Sequence, residues 1–422
     1  MRKLTPSTAS APDPSAGGRG GNRGRDGAGL VTALAITQTA GYGVLYYAFA
    51  VLLTPMSRDL HAGTGQVAGA LTCSVLTAAL AAPWVGRLLD ARGGRIPMTA
   101  GAVLGVAAVL AWSQVTSLVQ LYAVLVLVGL ASAMVLYEAA FAVVVAVSAP
   151  ARRSRALLVI TIVAGFASSV FFPLTGFLVA AFGWRTALVI LAAVYGALAV
   201  PLHALILPGH DRARGGRTGA SAKARRADLV RAALRGWAFW LLVAAFFAQI
   251  AAVAVMGVLL VAYLIALGHS AVLAAGVAGL LGVLSVTGRL VSTALSARRP
   301  IALVTAAIFA LQGAAALLLP LIGRDTAGAI VAVTLFGLGF GVATIARPAL
   351  LAERYGTGAY GSISGAMALP VLAAKAVAPL VAAVLVSVVG YTAVMAAVAA
   401  CCALAAITLT AYHRIPFRAA SK

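Results

Sequence analysis

The chain has 422 residues, of which 63% are hydrophobic and only 9% are charged, and its mean hydropathy is +1.05. This composition leaves too little polar surface for a soluble domain of that length, so it excludes the soluble classes and predicts a membrane protein. The net charge of +22 does not indicate nucleic acid binding, because the bases lie in short connections without interleaved aromatic residues.

The first segment, residues 1–28, is rich in Ala, Pro, Ser, Gly and Arg. It lacks the apolar side chains that a packed core needs, so we predict a disordered cytoplasmic tail. The apolar stretch 30–53 comes next. It is longer than the core of a signal peptide and no A-x-A-like cleavage site follows it, so we interpret it as a membrane span.

Twelve apolar stretches, counting 30–53 as the first, have the length of a membrane-spanning helix. Each can cross about 30 Å of hydrocarbon. The stretches are 30–53, 67–86, 97–117, 120–147, 156–181, 185–207, 237–264, 272–296, 301–322, 327–350, 361–386 and 391–412. We therefore predict an all-α membrane protein with twelve transmembrane helices.

Most of the 31 Lys and Arg residues lie in the terminal segments or in the even-numbered connections between spans. The second connection, for example, carries Arg87, Arg92 and Arg95, whereas the third carries none. Basic residues accumulate in cytoplasmic loops. Both termini and the even-numbered connections are therefore predicted to be cytoplasmic, in a multi-pass protein of the cell (inner or plasma) membrane.

The basic, glycine-containing segment 208–236 is the longest polar connection. It divides the chain into an N-terminal bundle, 29–207, and a C-terminal bundle, 237–412, and we interpret it as a cytoplasmic linker. Each bundle contains six predicted helices, and 413–422 forms a second cytoplasmic tail.

The two bundles repeat a short motif. GRLLDARGGR at 86–95 closes the second span, and GRLVSTALSARRP at 288–300 closes the eighth, which is the second span of its own bundle. This repetition predicts two pseudo-symmetric halves, and duplicated halves are one plan of secondary transporters.

The connection after the second span matches the pattern G-x-L-x-D-x-x-G-x-[RK]. Its matching residues are Gly86, Leu88, Asp90, Gly93 and Arg95. With the six-plus-six topology, this motif makes the chain resemble the major facilitator superfamily over about residues 29–412. The resemblance implies the major facilitator fold and a conformational gate that stabilises the outward-open state.

The residue types of this motif suit a gate. Gly86 permits close approach of two helices, and Asp90 can accept hydrogen bonds from the N-terminus of a neighbouring helix. Arg92 and Arg95 can bridge the cytoplasmic face. The alternative, that these are ordinary charges that set the topology, stays open.

Apart from Arg185 at the first position of span six, four charged residues lie within predicted spans: Glu138, Arg289, Arg347 and Lys375. Such residues are costly in a membrane and usually face a cavity or a partner. The segments "TGRLVSTALSAR" on span eight and "LAAKAVAP" on span eleven resemble the oxalate/formate antiporter and monocarboxylate porter branch of the superfamily. That resemblance implies that Arg289 and Lys375 bind substrate carboxylates. In the alternative, Arg289 belongs to the cytoplasmic gate and Lys375 pairs with Glu138.

Glu138 is the only acid predicted deep in the membrane, and a buried carboxyl group can exchange a proton near physiological pH. We predict that it couples transport to protons, although it could instead be a fixed counter-ion or a substrate ligand.

Arg347 lies six residues before Glu353. Both are assigned to the cytoplasmic gate, because a long cationic side chain near a span end can reach the surface.

Gln38, Tyr42 and Tyr46 recur every four residues on span one and therefore share one helix face. We predict that they line a substrate cavity, with Gln249 of span seven as their counterpart in the second half. An aromatic packing stripe is the alternative.

The sequence contains no Walker-type glycine loop, metal-ligand cluster or nucleophile constellation. We predict a gradient-driven secondary transporter, not an enzyme, with no cofactor and no metal, functional as a monomer in the lipid bilayer. The preferred substrate is a small organic anion such as a monocarboxylate. The alternatives are a proton-coupled exporter of a hydrophobic drug or metabolite, and a transporter-like membrane sensor.

Overall fold

A computed structural model describes residues 18–208 and 220–416. The first part of the predicted N-terminal tail, residues 209–219 of the linker and most of the C-terminal tail therefore lie outside the described residues. The first helix begins at Gly18, inside the segment predicted to be disordered, and its apolar, membrane-spanning part begins at Ala28.

The first half contains six spans. The first is Gly18–Tyr42, the π-helical Gly43–Tyr47 and Ala48–Asp59; the second is Thr64–Arg92; the third is Arg95–Trp112; the fourth is Leu118–Val135 with Tyr137–Val147; the fifth and sixth are Pro150–Gly165 with Ala167–Ile206. Ala167–Ile206 changes from the fifth span to the sixth at Gly183, whose φ of 76° and ψ of 162° interrupt the helix.

The second half repeats this order. The linker helix Ala220–Arg235 precedes it; the seventh span is Trp237–Ala266, the eighth Ala271–Ser296, the ninth Ile301–Ile322, the tenth Thr326–Gly337 with Ala343–Tyr355, and the eleventh and twelfth are Tyr360–Arg414. Gly390, with φ of 80°, separates the last two spans. Glycine occupies both turning points because a side chain disfavours positive φ.

Nine helices of the described ranges are long and apolar enough to cross a membrane. Two of these have 55 residues each and contain the breaks at Gly183 and Gly390, so each supplies two spans. With the two-part tenth span, the described chain accounts for the twelve predicted spans and confirms the all-helical fold. Large apolar side chains such as Trp84 and Leu380 are exposed on the outside, as lipid contact requires.

Spans four and ten differ from the prediction, because each is interrupted where the sequence predicts a continuous helix. Leu136 has extended dihedral angles, φ −80° and ψ −167°, between the two parts of span four. The chain makes successive turns from Leu338 to Val342 between the two parts of span ten. Both interruptions lie within predicted membrane spans, and their residues are buried or partly buried.

Apolar packing joins the two halves at one end of the molecule. One core cluster contains residues of both halves, including Leu30 and Phe239. Two further clusters each belong to one half, one around Trp112 and one around Phe336. The shared cluster lies at the end where the even-numbered connections are, which we call the basic end.

The linker helix Ala220–Arg235 lies at the basic end. Its Val230 and Leu234 pack against the shared cluster and Ala233 is buried in it. The part of the predicted linker that the structure describes is therefore a helix docked on the bundle.

Candidate functional site

A cavity of about 170 Å³ lies between the two halves. Spans one, two and four form one wall, and spans seven, ten and eleven form the other. The polar and aromatic residues of its lining are Tyr42, Tyr46, Ser74, Ser132, Tyr137, Glu138, Phe141, Phe246, Gln249, Thr344, Arg347 and Lys375. The rest of the lining is aliphatic.

An ion pair between Glu138 and Arg347 crosses this cavity from one half to the other. Arg347 donates from Nη2 to Glu138 Oε1, and Ser364 donates from its hydroxyl to Glu138 Oε2 at 3.3 Å. The side chains are only 18% and 13% exposed for Glu138 and Arg347 respectively. The pair therefore neutralises two charges that would be costly alone in a membrane.

The interruption of span four explains where Glu138 lies. A new helix, Tyr137–Val147, starts directly after Leu136, and Glu138 belongs to its first turn. The aligned peptide dipoles give the helix start a partial positive charge, which favours a carboxylate beside it. Arg347 is similarly placed by a second helix start, because it lies in the second turn of Ala343–Tyr355.

The structure places Arg347 on the cavity wall and not only at the surface. Glu353, assigned to the same gate by the sequence, is exposed near the end of the same helix. Arg347 forms its ion pair with Glu138 and not with Glu353.

Lys375 lines the cavity from span eleven. Its Nζ atom lies 4.7 Å from the centroid of the Tyr46 ring. The electron-rich face of an aromatic ring attracts a cation, so this is a cation–π contact. Among the described residues no carboxylate forms an ion pair with Lys375. Glu138, which the sequence offered as an alternative partner, is paired with Arg347. The three charges of the cavity therefore sum to one positive charge.

Aromatic rings connect Lys375 with the ion pair. The ring centroids of Tyr42 and Tyr46 are 6.5 Å apart, and those of Tyr42 and Tyr137 are 4.6 Å apart. Tyr137 then stacks on Phe141 at 4.9 Å. Tyr42 and Tyr46 both line the cavity, and their rings also pack against each other.

The two predicted glutamines are fully buried. Gln38 is not part of the cavity wall; it donates from Nε2 to the Val135 carbonyl at 2.6 Å. Gln249 lines the cavity and donates to Gln312 Oε1 at 3.4 Å. The Nε2 group of each amide is thus engaged with the protein, whereas each Oε1 atom is buried without a hydrogen-bond partner among the described residues.

Arg289 lies outside the cavity in this conformation. It is buried, donating from Nε to the Gly341 carbonyl at 3.2 Å and from Nη1 to the Thr161 carbonyl at 3.1 Å. Thr161 belongs to span five of the other half. Arg289 therefore joins the two halves, as its alternative role in a gate requires, and is not brought together with Lys375.

The start of span eleven docks on span two at the basic end. Asp90 accepts hydrogen bonds from the Gly361 N–H at 3.0 Å and from the N–H and hydroxyl of Ser362, both at 2.7 Å. A Cβ on Gly86 would lie 1.9 Å from the Gly361 carbonyl oxygen. Close approach and a capped helix start, the two features expected of this motif, are therefore both present.

The two motif arginines make different contacts. Arg95 donates to the carbonyls of Leu207, at 3.0 Å, and Leu205, at 3.4 Å, in its own half. It thereby caps the end of span six instead of bridging the halves. Arg92 is exposed in the last turn of span two.

Sequence reasoning missed several polar residues of this region. Ser74 and Ser132 line the cavity, Ser364 binds Glu138, and Gln312 contacts the interrupted span ten. Small hydroxyl side chains are common in packed transmembrane helices, so composition alone does not single them out.

The sequence model of the Major Facilitator Superfamily matches residues 34–371. The chain belongs to the major facilitator superfamily. It is therefore a multi-pass membrane protein of a transporter family. No curated protein matches the chain in sequence.

Solved major facilitator structures resemble nearly the whole chain. The human organic anion transporter MFSD10 (TETRAN) shares 18% identity and a TM-score of 0.68, covering 92% of this chain and 99% of its own. The E. coli fucose:proton symporter FucP shares 16% identity and a TM-score of 0.69, covering 90% and 98%. A bacterial homologue of the iron transporter ferroportin shares 14% identity and a TM-score of 0.74, covering 92% and 99%. These similarities establish a common fold across different cargoes.

Proposed function

We propose that this chain is a secondary active transporter of a small organic anion, such as a monocarboxylate, working by alternating access of the central cavity. The supporting observation is the position of Lys375. Its ammonium group faces the cavity without a carboxylate partner among the described residues. An unpaired cation at this depth is unfavourable unless an anion is bound, so a substrate carboxylate would complete the charge balance.

The cavity size favours a small solute. A volume of about 170 Å³ is below the roughly 300–1,000 Å³ of pockets that hold drug-sized ligands. The aromatic and aliphatic lining does suit a hydrophobic cargo, and export of such a compound is the second candidate. The same transport assay separates the two, because a hydrophobic neutral compound does not need Lys375.

Glu138 is proposed as the proton-coupling residue. It is the only carboxylate on the cavity wall within the described ranges. Protonation would remove the charge that holds Arg347, and this pair joins the two halves. Proton binding and separation of the halves would then be linked, which is what coupled transport requires.

The orientation follows from the charges. We place the basic end, both termini and the linker in the cytoplasm of the cell, because the arginines of short loops favour that side. The halves meet at the basic end, so the conformation described here is the one closed to the cytoplasm. One chain contains the whole cavity, and we propose a functional monomer.

The first test measures uptake of radiolabelled monocarboxylates into proteoliposomes. Lys375→Gln keeps a polar side chain but removes the charge. We expect uptake to fall by about tenfold or more, the loss that one missing charge-assisted hydrogen bond of about 1.5–3 kcal/mol produces.

Arg299→Gln is the matched control, because it removes one exposed cation from the basic end of the same half. Its uptake should equal that of the unsubstituted chain. Equal uptake by Lys375→Gln would overturn the anion proposal. Transport of a neutral hydrophobic dye that is unchanged in Lys375→Gln would then favour the second candidate.

The second test concerns the coupling ion. In Glu138→Gln, uptake should no longer respond to an imposed pH gradient, because the substituted amide cannot exchange a proton. Uptake is measured over a series of gradients at fixed internal pH. Asp228→Asn, which neutralises an exposed acid on the linker helix at the basic end, is the control and should keep the response. A response in Glu138→Gln that matches the unsubstituted chain would remove Glu138 from the coupling step.

A further inference from the structure

At the interruption of span four, the backbone carbonyl of Val135 lacks its helical donor. In a regular helix the Ala139 N–H would donate to the Val135 carbonyl. Here the Ala139 and Ala140 N–H groups both donate to the Leu136 carbonyl, at 3.0 and 3.1 Å. Gln38 of span one supplies the missing donor, with its Nε2 atom 2.6 Å from the Val135 oxygen.

The interruption of span ten also receives an amide. Gln312 of span nine donates from Nε2 at 3.0 Å to the Phe336 carbonyl, which additionally accepts the Gly339 N–H at 3.1 Å where the helix tightens into turns. A Cβ on Gly339 would lie 2.2 Å from the Gln312 side chain, so this glycine makes room for the amide. Gln249 donates to the other end of Gln312.

Each interruption is followed by one member of the cavity ion pair. Glu138 comes two residues after Leu136, and Arg347 comes in the helix that starts directly after Val342. We infer that Gln38 and Gln312 are positioning residues, which hold the two broken helices so that Glu138 and Arg347 meet. Gln38 then has no contact with the transported solute, in contrast to the role predicted from its spacing.

The physical reason is the cost of an unpaired carbonyl in a membrane-spanning segment. Without the Gln38 amide, the Val135 carbonyl can be satisfied by the Ala139 N–H, its donor in a regular helix, and that bond restores the helix. Leu136 would then turn from an extended to a helical ψ, a change of more than a right angle. The side chain of Glu138, two residues later, would point away from Arg347.

A double-mutant cycle on thermal stability tests this inference, which rests on the proposed role of the ion pair in transport. Tm is measured for the purified full chain with and without Arg347→Gln, in the unsubstituted and Gln38→Met backgrounds. We expect the Tm loss from Arg347→Gln to be roughly half or less in Gln38→Met, because there Glu138 no longer meets Arg347 and the substitution removes no intact ion pair. No substrate is needed, so failure of the anion proposal leaves this result intact.

Thr37→Val is the matched control for Gln38→Met. Thr37 is also buried on span one, but its hydroxyl donates within its own helix, to Leu34. In the Thr37→Val background, the Tm loss on breaking the ion pair should be as large as in the unsubstituted chain. The pH dependence of uptake should also change in Gln38→Met and not in Thr37→Val. A purely structural glutamine would lower Tm in both backgrounds by additive amounts, and additivity would overturn the inference.

Gln312→Met repeats the cycle from the second half, in case Gln38→Met does not fold. Its control is Thr305→Val, because Thr305 is buried on the same span and donates within its own helix, to Ile301 at 2.7 Å. Reduced coupling in Gln312→Met supports the inference, and coupling equal to that in Thr305→Val contradicts it.

Discussion

Arg347→Gln is expected to destabilise the folded chain by about 2–4 kcal/mol. The substitution leaves the Glu138 carboxylate in the cavity wall, 18% exposed, with Ser364 as its remaining hydrogen-bond donor among the described contacts. Loss of one partner from a buried pair costs about 3–5 kcal/mol, and the partial exposure of Glu138 reduces that figure. Chemical unfolding of the purified chain in one detergent measures the difference.

A double substitution tests whether the loss comes from the unpaired charge of Glu138. Glu138→Gln combined with Arg347→Gln removes both charges and leaves no lone ion, so it should recover most of the loss. Arg231→Gln is the matched control, because its ion pair with Asp228 on the linker helix is 62% and 70% exposed. Such a surface pair contributes about 0–1 kcal/mol. If Arg347→Gln cost no more than Arg231→Gln, the pair would not hold the halves together.

The spans and the two halves could be predicted from the sequence because local properties determine them. Each span has an apolar composition of its own, and each connection has its own charge. Neither depends on which helices later become neighbours. The residue types of the motif around Gly86 and Asp90 suit a close approach and a helix start, and the structure has both features at the contact between spans two and eleven.

The partners of the charged side chains could not be predicted in this way. Arg347 and Glu138 are 209 residues apart in the chain, and a shift of one residue in a helix rotates a side chain by about 100°. Gln38 shows the related limit of periodicity. Gln38 lies on the same helix face as Tyr42, one turn nearer the basic end. At that level the face packs against span four, so Gln38 does not reach the cavity.

The two interruptions differ in how visible they are in the sequence. Span ten contains Gly337, Gly339 and Gly341 in a run of five residues, and such a glycine-rich segment often marks a discontinuous helix. Span four reads MVLYE at its interruption, residues that a helix accepts readily. Its shape depends on the amide of Gln38, a tertiary contact that has no local signature.

Gly86→Ala is expected to open the basic end. The added Cβ would lie 1.9 Å from the Gly361 carbonyl oxygen, where backbone meets backbone and neither helix can yield without moving. Spans two and eleven must separate, and Asp90 then loses its bonds to Gly361 and Ser362. The conformation that is closed at this end loses stability relative to the open one, so the population shifts toward opening.

Cysteine alkylation measures this shift. In a chain whose three native cysteines are replaced by alanine, Ala359→Cys places a thiol at a fully buried position beside the start of span eleven. Gly86→Ala should raise the rate at which a water-soluble maleimide alkylates this thiol. The expected increase is about tenfold for each 1.4 kcal/mol by which the closed conformation is destabilised relative to the open one. Gly279→Ala is the control, because nothing lies within 4 Å of its new Cβ. The same rate in both variants would show that the contact between spans two and eleven does not keep the basic end closed.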